Sequence, residues 1–305
     1  MAQKEVKQRI SSVKNVQKIT RAMEMVAAAR LRRAEQRIAD LRPYASAIRR
    51  MTKQAAEAAQ NMPNIPVLQD REDTKSVGII IMSGDRGLAG AFNSQIIRTA
   101  MLTVAEHESQ GREVQFFVSG RRGASSLTFR GREPKESYQG HTDRPSYANA
   151  REIADDVIAC YVDGDLDRVE LFYNAFESAM TQHVTSEVLL PMQQATVAEA
   201  QDIQDDLEGE GDSGEDGEHT ALTEYEPEPG EILERLVPDY VEISIFRALL
   251  ESTASEHGAR MTAMRSASEN ATELIDDLTL QLNRERQADI TQEIMEVVAG
   301  AESLT

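Results

Sequence analysis

The sequence predicts a protein of the α/β plus α class: a long helical shaft carrying a globular α/β attachment. Three observations predict it. A helix-patterned segment runs from about Lys4 to Gln60, a second from about Asp239 to Ala301, and strand-like runs alternate with helix-like runs between them. Helices of that length outreach any core that a small domain could wrap around them. They must pack on each other or on partners.

In the first segment, Leu31, Ala34, Ile38, Leu41, Ala45 and Ile48 follow one another in alternate steps of three and four. Val6, Ile10 and Val13 hold the same phase upstream, which is the spacing of a coiled-coil seam. Between these runs, Val16, Ile19, Met23 and Val26 form a stripe displaced by one position. The helix is apolar there on more than one face, so more than one surface is expected to contact it. Pro43 removes a backbone hydrogen bond and is expected to bend the helix. The segment is roughly 85 Å long at 1.5 Å per residue, and the NMPNIP run at 61–66 ends it.

The second segment repeats the pattern through Leu250, Ala254, His257, Met261, Met264, Ser268, Ala271, Ile275, Leu278 and Leu282. Its small residues permit close approach. Pro229 suits the first helical position, and Glu231 and Glu234 suit an N-terminal turn. Pro238 predicts a kink or restart, which places the long helix after it.

The middle of the chain reads as strands at Ser76–Ser83, Val114–Gly120, Asp167–Phe176 and Val184–Leu190. Helices are expected at Phe92–Glu108, Gly123–Phe129 and Tyr147–Val162. Strand–helix–strand order favours a mostly parallel sheet covered by helices. The stretch from Glu199 to Glu218 holds 10 acidic residues and several glycines, so it reads as a solvated insert. The resulting organisation is a helix over 1–62, an α/β domain over 74–196, an acidic insert over 197–224, and a terminal segment with the second long helix over 225–305.

Composition narrows the function classes. The chain has 305 residues, 28% of them charged, with no Trp and 5% aromatics, which suits Ala, Leu and Met packing between helices. No stretch approaches 18 apolar residues, so none reads as a membrane span. The start, MAQKEVKQRI, has no apolar signal core. The lone Cys160 excludes an internal disulfide and fits a cytosolic compartment. The net charge of -19 averages two opposite regions. Residues 1–53 carry 14 Lys or Arg against 4 acids, whereas 199–234 carry 15 acids and no Lys or Arg. The basic end and the separate acidic block are therefore expected in different surroundings.

Candidate chemistry is sparse. The turn from Gly84 to Gly90, GDRGLAG, follows a strand and opens a helix, where backbone N–H groups and the helix dipole can hold phosphate. It matches neither GxGxxG nor GxxxxGK[ST]. Its bland reading is a tight strand-to-helix turn in which Asp85 and Arg86 make structural or interface contacts. The five histidines and Cys160 show no metal-ligand spacing, so no metal or cofactor is implied. Arg30, Arg32, Arg33 and Arg37 could neutralise phosphates of a nucleic acid. Docking of a basic helix into acidic protein surfaces explains the same charge and the apolar faces as well. Two alternatives to a shaft thus stand: a nucleotide- or phosphate-binding α/β protein, and a basic coiled-coil nucleic-acid binder.

Three motifs carry a resemblance that spans the chain. KQRISSVKNVQKITRAMEMVAAARLRRAEQ (Lys7–Gln36) resembles the amino-terminal signature of the gamma subunits of F-type ATP synthases. The run from Ser255 to Ala301, opening SEHGARMTAM, is similar to that family's carboxy-terminal signature, and MSGDRGLAGAFN (Met82–Asn93) to its central motif. The resemblance implies an antiparallel, left-handed coiled coil of the terminal helices beside a Rossmann-like α/β domain. It implies a rotor shaft that couples ion flow through a membrane ring to conformational cycling of catalytic beta subunits, with no chemistry of its own and no cofactor. The implied partners are the alpha and beta subunits of the catalytic ring, the epsilon subunit and the membrane c-ring, with no nucleic acid.

By the same resemblance, Met23, Arg260, Arg286, Gln287 and Thr291 match coupling contacts with beta subunits, with Met23 placed near the last three. Tyr225, Glu226 and Glu228 match the foot that touches the rotor ring and epsilon. Asp85 and Arg86 lie in the central-motif turn. Ala89 stands where the family often has Cys. Chloroplast members carry a regulatory insertion with a cysteine pair where the acidic insert lies, and the absence of Cys there excludes dithiol switching. Without a transit peptide the chain looks bacterial, and the expected location is the cytoplasmic side of the inner or plasma membrane, held peripherally.

Overall fold

Each terminal helix covers the other's apolar seam. The computed structural model describes residues 2–58, 74–192 and 229–302. Helix α1 spans Ala2–Ala58, and the last helix, α5, spans Pro229–Glu302. Near the start of α1, Val6 and Ile10 pack on Leu278 of α5, flanked by Val13, Ile275 and Leu282. Further along, Leu31 and Ala34 pack on Ala254, flanked by Ile38 and Met261. Rising numbers on α1 meet falling numbers on α5, so the pair is antiparallel. A strict three–four repeat on both helices is the one that winds a left-handed supercoil.

The seam on α1 does not shift phase in its middle. It steps from Val13 through Gln17, Thr20, Glu24 and Ala27 to Leu31. Gln17 Nε2 donates to Thr272 Oγ1 at 2.7 Å, and Arg265 Nε donates to Glu24 Oε1 at 2.9 Å. The displaced apolar stripe faces outward, with Val16, Ile19 and Val26 between 52% and 59% exposed. Hydrophobicity alone points there to the wrong face, because the seam positions on α1 are the polar Gln17, Thr20 and Glu24, set against Met264 and Ala271 of α5.

Neither proline ends its helix. Pro43 lies on the exposed side of α1, and α1 continues to Ala58. The expected restart after Pro238 is corrected: α5 begins at Pro229 and runs through Pro238. A helix-interior proline costs about 3 kcal/mol. Around Pro238, Leu233, Val237 and Val241 are at most 1% exposed, and each such burial contributes about 1.5–3 kcal/mol. Tertiary packing therefore outweighs the local break.

The sheet comprises β1 (Ser76–Met82), β2 (Glu113–Ser119), β3 (Glu136–Tyr138), β4 (Arg168–Phe176) and β5 (Gln182–Leu190). Their spatial order is β3-β2-β1-β4-β5. The first four are parallel, and β5 returns antiparallel to β4. The three-residue β3 is too short to leave a sequence signal. Helices α2 (Phe92–Ser109), α3 (Arg121–Phe129) and α4 (Tyr147–Val162) complete the domain.

Alternation along β1 divides the core. Val77, Ile79 and Ile81 face α2 and α3, meeting Ile96, Ala100, Val104 and Leu127. Ile80 and Met82 face the other side, where α4 supplies Ile153 and Val157, and α5 supplies Leu233, Val237, Val241 and Ile245. Ile48 and Ala55 of α1 join the same cluster. The domain is thus less an attachment than a body sharing its core with the shaft. Among the described residues no helix is long and apolar enough to cross a membrane. Tyr225, Glu226, Glu228, the acidic insert and the expected boundary at 62 lie outside the described residues.

Candidate functional site

Open α/β sheets take ligands in the crevice beyond the carboxyl ends of their strands, where the strand order reverses. Here that point lies between β1 and β4, since the chain moves outward from β1 to β2 and β3 and then returns to β1's other side. The crevice is filled by α5. Ser252 Oγ donates to the Met82 carbonyl at the end of β1 at 3.1 Å, and Ser255 Oγ to the Asn174 carbonyl of β4 at 3.0 Å. Thr253 Oγ1 donates to the Thr142 carbonyl at 2.9 Å. Short hydroxyl side chains let the helix lie against the strand ends and satisfy carbonyls that it covers.

The next turn of α5 closes onto the central motif. A Cβ at Gly84 would lie 2.8 Å from the Glu256 carboxyl carbon, so a side chain there would have to push the buried Glu256 aside. Arg260 donates to Glu256 Oε1 and, at 3.3 Å, to the Gly87 carbonyl. Glu256 is 2% exposed and Arg260 8%. Burial pushes the Glu256 carboxyl above its ordinary pKa, with Arg260 pulling the other way. His257 is lowered to about 4, by burial first and the Arg260 charge second. It therefore sits neutral in the seam, hydrogen-bonded to the Asp143 backbone.

The carboxylate of the central turn is satisfied from within the chain. Asp85 Oδ1 accepts from the Arg121 amide at 3.0 Å, while Oδ2 accepts from the Gly140 amide at 2.9 Å and the Thr142 hydroxyl at 3.0 Å. Burial opposes the Asp85 charge, but these donors hold its carboxyl below the usual range. The anion at the N-terminus of α3 is thus supplied by the chain itself. At the start of α2, Asn93 Oδ1 accepts from the Gly84 amide at 2.8 Å, and Asn93 Nδ2 donates to the Arg86 carbonyl at 3.3 Å. Leu88 and Gly90 turn the chain with φ of 63° and 55°. The arrangement is a docking turn in which the Gly84 and Asp85 amides are taken up by Asn93 and Thr142 and the carboxylate of Asp85 already occupies the N-terminus of α3, which speaks against the phosphate-loop alternative. Among the described residues no cluster of His, Cys, Asp or Glu could hold a metal.

Arg86 and α1 meet at Asp143. Arg30 Nη1 lies 2.7 Å and Arg86 Nη1 3.4 Å from Asp143 Oδ2. Burial opposes the Asp143 charge, and Arg30, then Arg86, hold its pKa low. Arg37 donates to the Pro145 carbonyl. Two of the four clustered arginines therefore serve contacts inside the chain, while Arg32 and Arg33 are exposed.

The structure separates residues that the sequence reading groups together. Met23 is half-buried beside Glu24, whose partner is Arg265. Arg286 lies roughly 30 Å further along α5 at 1.5 Å per residue, so antiparallel pairing keeps Met23 away from Arg286, Gln287 and Thr291. Those three are exposed: the register of Gln17 on Thr272 and Glu24 on Arg265 brings Arg286 and Gln287 level with the start of α1 and puts Thr291 past it. From there α5 continues alone, with Ile290, Ile294, Met295, Val297 and Val298 between 48% and 73% exposed. Arg260 differs from the expected surface contact: it points inward, because an uncompensated Glu256 beneath it would be costly. Glu256, Thr142 and Asp143 are absent from the sequence reading. The four-residue spacing of Glu256 and Arg260 was a usable signal for the first, whereas nothing local marks the other two.

Comparison with known proteins gives a consistent set of likenesses. A family model described as ATP synthase matches residues 2–304. The chain is 41% identical over 301 residues to the ATP synthase gamma chain of Geobacter metallireducens, covering 99% of this chain and 98% of that protein. It is likewise 41% identical over 305 residues to the ATP synthase gamma chain of Rubrobacter xylanophilus, with the same coverage. Among solved structures, a chain of the central stalk and c-ring of the Tetrahymena thermophila mitochondrial ATP synthase aligns with a TM-score of 0.59 and 25% identity, over 82% of this chain and 99% of that one. A chain of the Euglena gracilis mitochondrial ATP synthase aligns with a TM-score of 0.66 over 99% of this chain and 94% of that one, and at 17% identity that likeness concerns the fold alone.

Proposed function

The chain belongs to the ATP synthase gamma-chain family, the central-stalk subunit of F-type enzymes, and from that membership we propose that it turns as the shaft of a rotary ATP synthase while performing no chemistry itself. One observation carries the second half of this reading. The crevice where an α/β sheet would bind a nucleotide is occupied by α5, through Ser252, Ser255 and the Glu256–Arg260 pair.

The proposed mechanism is differential contact. An asymmetric shaft inside a ring of alpha and beta subunits offers a different face to each catalytic beta subunit. A face that binds one conformation of a beta subunit better than another shifts that subunit's equilibrium, and rotation moves the bias from one to the next. Met23, with the outward Val16, Ile19 and Val26, supplies one such face. Arg286, Gln287 and Thr291 supply another, roughly 30 Å away at 1.5 Å per residue, so the two touch a surrounding ring at different heights. Arg260 acts through the turn that it braces. Tyr225, Glu226 and Glu228 form the foot on the c-ring and epsilon subunit, and the domain boundaries follow the same division. The complex holds the chain peripherally on the cytoplasmic side of a bacterial membrane.

Reconstitution tests this reading. Vesicles carrying the complex with this chain should make ATP from an imposed ion gradient, and vesicles lacking only this chain should not. Retained ion-coupled synthesis without the chain would sink the proposal. ATP added to the isolated full chain should leave its thermal midpoint unchanged, whereas stabilisation by several degrees would favour the nucleotide-binding alternative.

A further inference from the structure

The loop from Gly140 to Ser146 touches every body of the molecule, and no motif marks it. On one side it is welded to the central turn, through the Gly140 amide and the Thr142 hydroxyl on Asp85 and through Asp143 on Arg86. On the second side α5 grips it twice, by Thr253 on the Thr142 carbonyl and by His257 on the Asp143 backbone, four residues apart on one face. On the third side α1 grips it twice, by Arg30 on Asp143 and Arg37 on the Pro145 carbonyl. Those two arginines are two helical turns apart on one stripe, about 10 Å along the axis.

A loop held this way behaves as a strut. It prevents α1 from sliding or rolling against α5, and it ties both helices to the domain at one height. Just above, toward the free end of the shaft, the pairs Gln17–Thr272 and Glu24–Arg265 flank a narrow seam in which Ala27, Met264 and Ala271 are buried.

We propose that Asp143 is a positioning residue for energy coupling: it fixes α1 to the domain and to α5, so that twist entering at the domain reaches both strands of the shaft together. The proposal rests on the shaft reading above. Asp143→Asn removes the charge that Arg30 and Arg86 share and nearly preserves shape. Asp143→Glu and Arg30→Lys restore charge at the same place.

The test uses the whole reconstituted complex in vesicles and reads ions pumped per ATP hydrolysed, beside ATP synthesis and hydrolysis measured separately. Changes in coupling of the size carried by a single contact amount to roughly 2- to 30-fold. Asp143→Asn and Arg30→Gln should lower pumping per ATP and synthesis within that range while hydrolysis holds. Asp143→Glu and Arg30→Lys should recover at least part of the ratio. A merely structural role would lower hydrolysis and synthesis in proportion and leave pumping per ATP at the wild-type value, which would overturn the proposal. Should Asp143→Asn fail to assemble, Arg30→Gln decides by the same ratio, because Asp143 then keeps Arg86. A wild-type complex without coupled activity would instead indict the shaft reading, so the two failures are distinguishable.

Discussion

Arg260→Met isolates the buried ion pair that seals the domain onto the shaft. The methionine keeps most of the stem and its packing but removes the guanidinium, together with its hydrogen bonds to Glu256 and the Gly87 carbonyl. The partner side chains are 2% and 9% exposed, so solvent cannot screen the loss. Removing one member of such a pair costs about 3–5 kcal/mol. At about 1.5–2 °C per kcal/mol for a chain of 305 residues, the midpoint should fall by about 5–10 °C.

The sign with pH follows from Glu256. Burial already holds its folded pKa above the unfolded value, so the ionised form costs stability above the unfolded pKa. Loss of Arg260 raises the folded pKa further. The variant's deficit relative to the parent is therefore greatest near neutral pH and shrinks as acid protonates Glu256. Thermal unfolding of the dilute full chain by circular dichroism, for parent, Arg260→Met, Glu256→Gln and the double variant, measures this. The double variant should recover much of the loss, because it no longer buries an unpaired charge. A deficit that is constant with pH, or a double variant as unstable as the sum of the two singles, would refute the reasoning.

Three further outcomes follow from other sites. Gly120 sits at φ 95°, and a Cβ there would meet the Ser83 carbonyl oxygen at 2.1 Å, so Gly120→Ala should cost about 3 kcal/mol or more, and an unchanged unfolding midpoint would contradict this. His257, lowered to about 4 against an ordinary 6.5, leaves the unfolded chain to take up the first proton on acidification. Stability therefore falls as pH drops through that window, by about 3 kcal/mol for the whole shift, and urea midpoints of His257→Gln should lack this component of the slope. Leu278→Ala empties the small cluster around Val6 and Ile10. It should cost about 2 kcal/mol, the low end for such truncations, and hydrogen exchange should quicken over Val6–Val13 without quickening in β1.

Much of this fold was legible because it is written in periods. The three–four steps on α1 and the apolar run of β1 predict elements that the structure reproduces to within a few residues at their ends, whereas α5 begins ten residues before its expected start at Asp239. The site was less legible. Asp85 and Arg86 were readable as contacts of a strand-to-helix turn. Arg260 was readable as a distinctive residue, though its direction was not. Glu256 and Asp143 owe their importance to neighbours more than a hundred positions away in sequence, Gly84 for the first and Arg30 for the second.

By itself, then, the sequence determined which faces are apolar, where strands alternate with helices, and that the two ends must find long partners. Only the tertiary structure decided what covers each face. It put Gln17, Thr20 and Glu24 in the seam and turned Val16, Ile19 and Val26 outward, since the register is set by the whole length of two helices and not by their middle. It carried α5 through Pro238, because Leu233, Val237 and Val241 are buried by the sheet and by α4. It closed the carboxyl edge of the sheet with α5 and turned Arg260 inward. Periodicity describes one chain segment against water, whereas a seam, a plugged crevice and a buried charge pair are properties of two segments against each other.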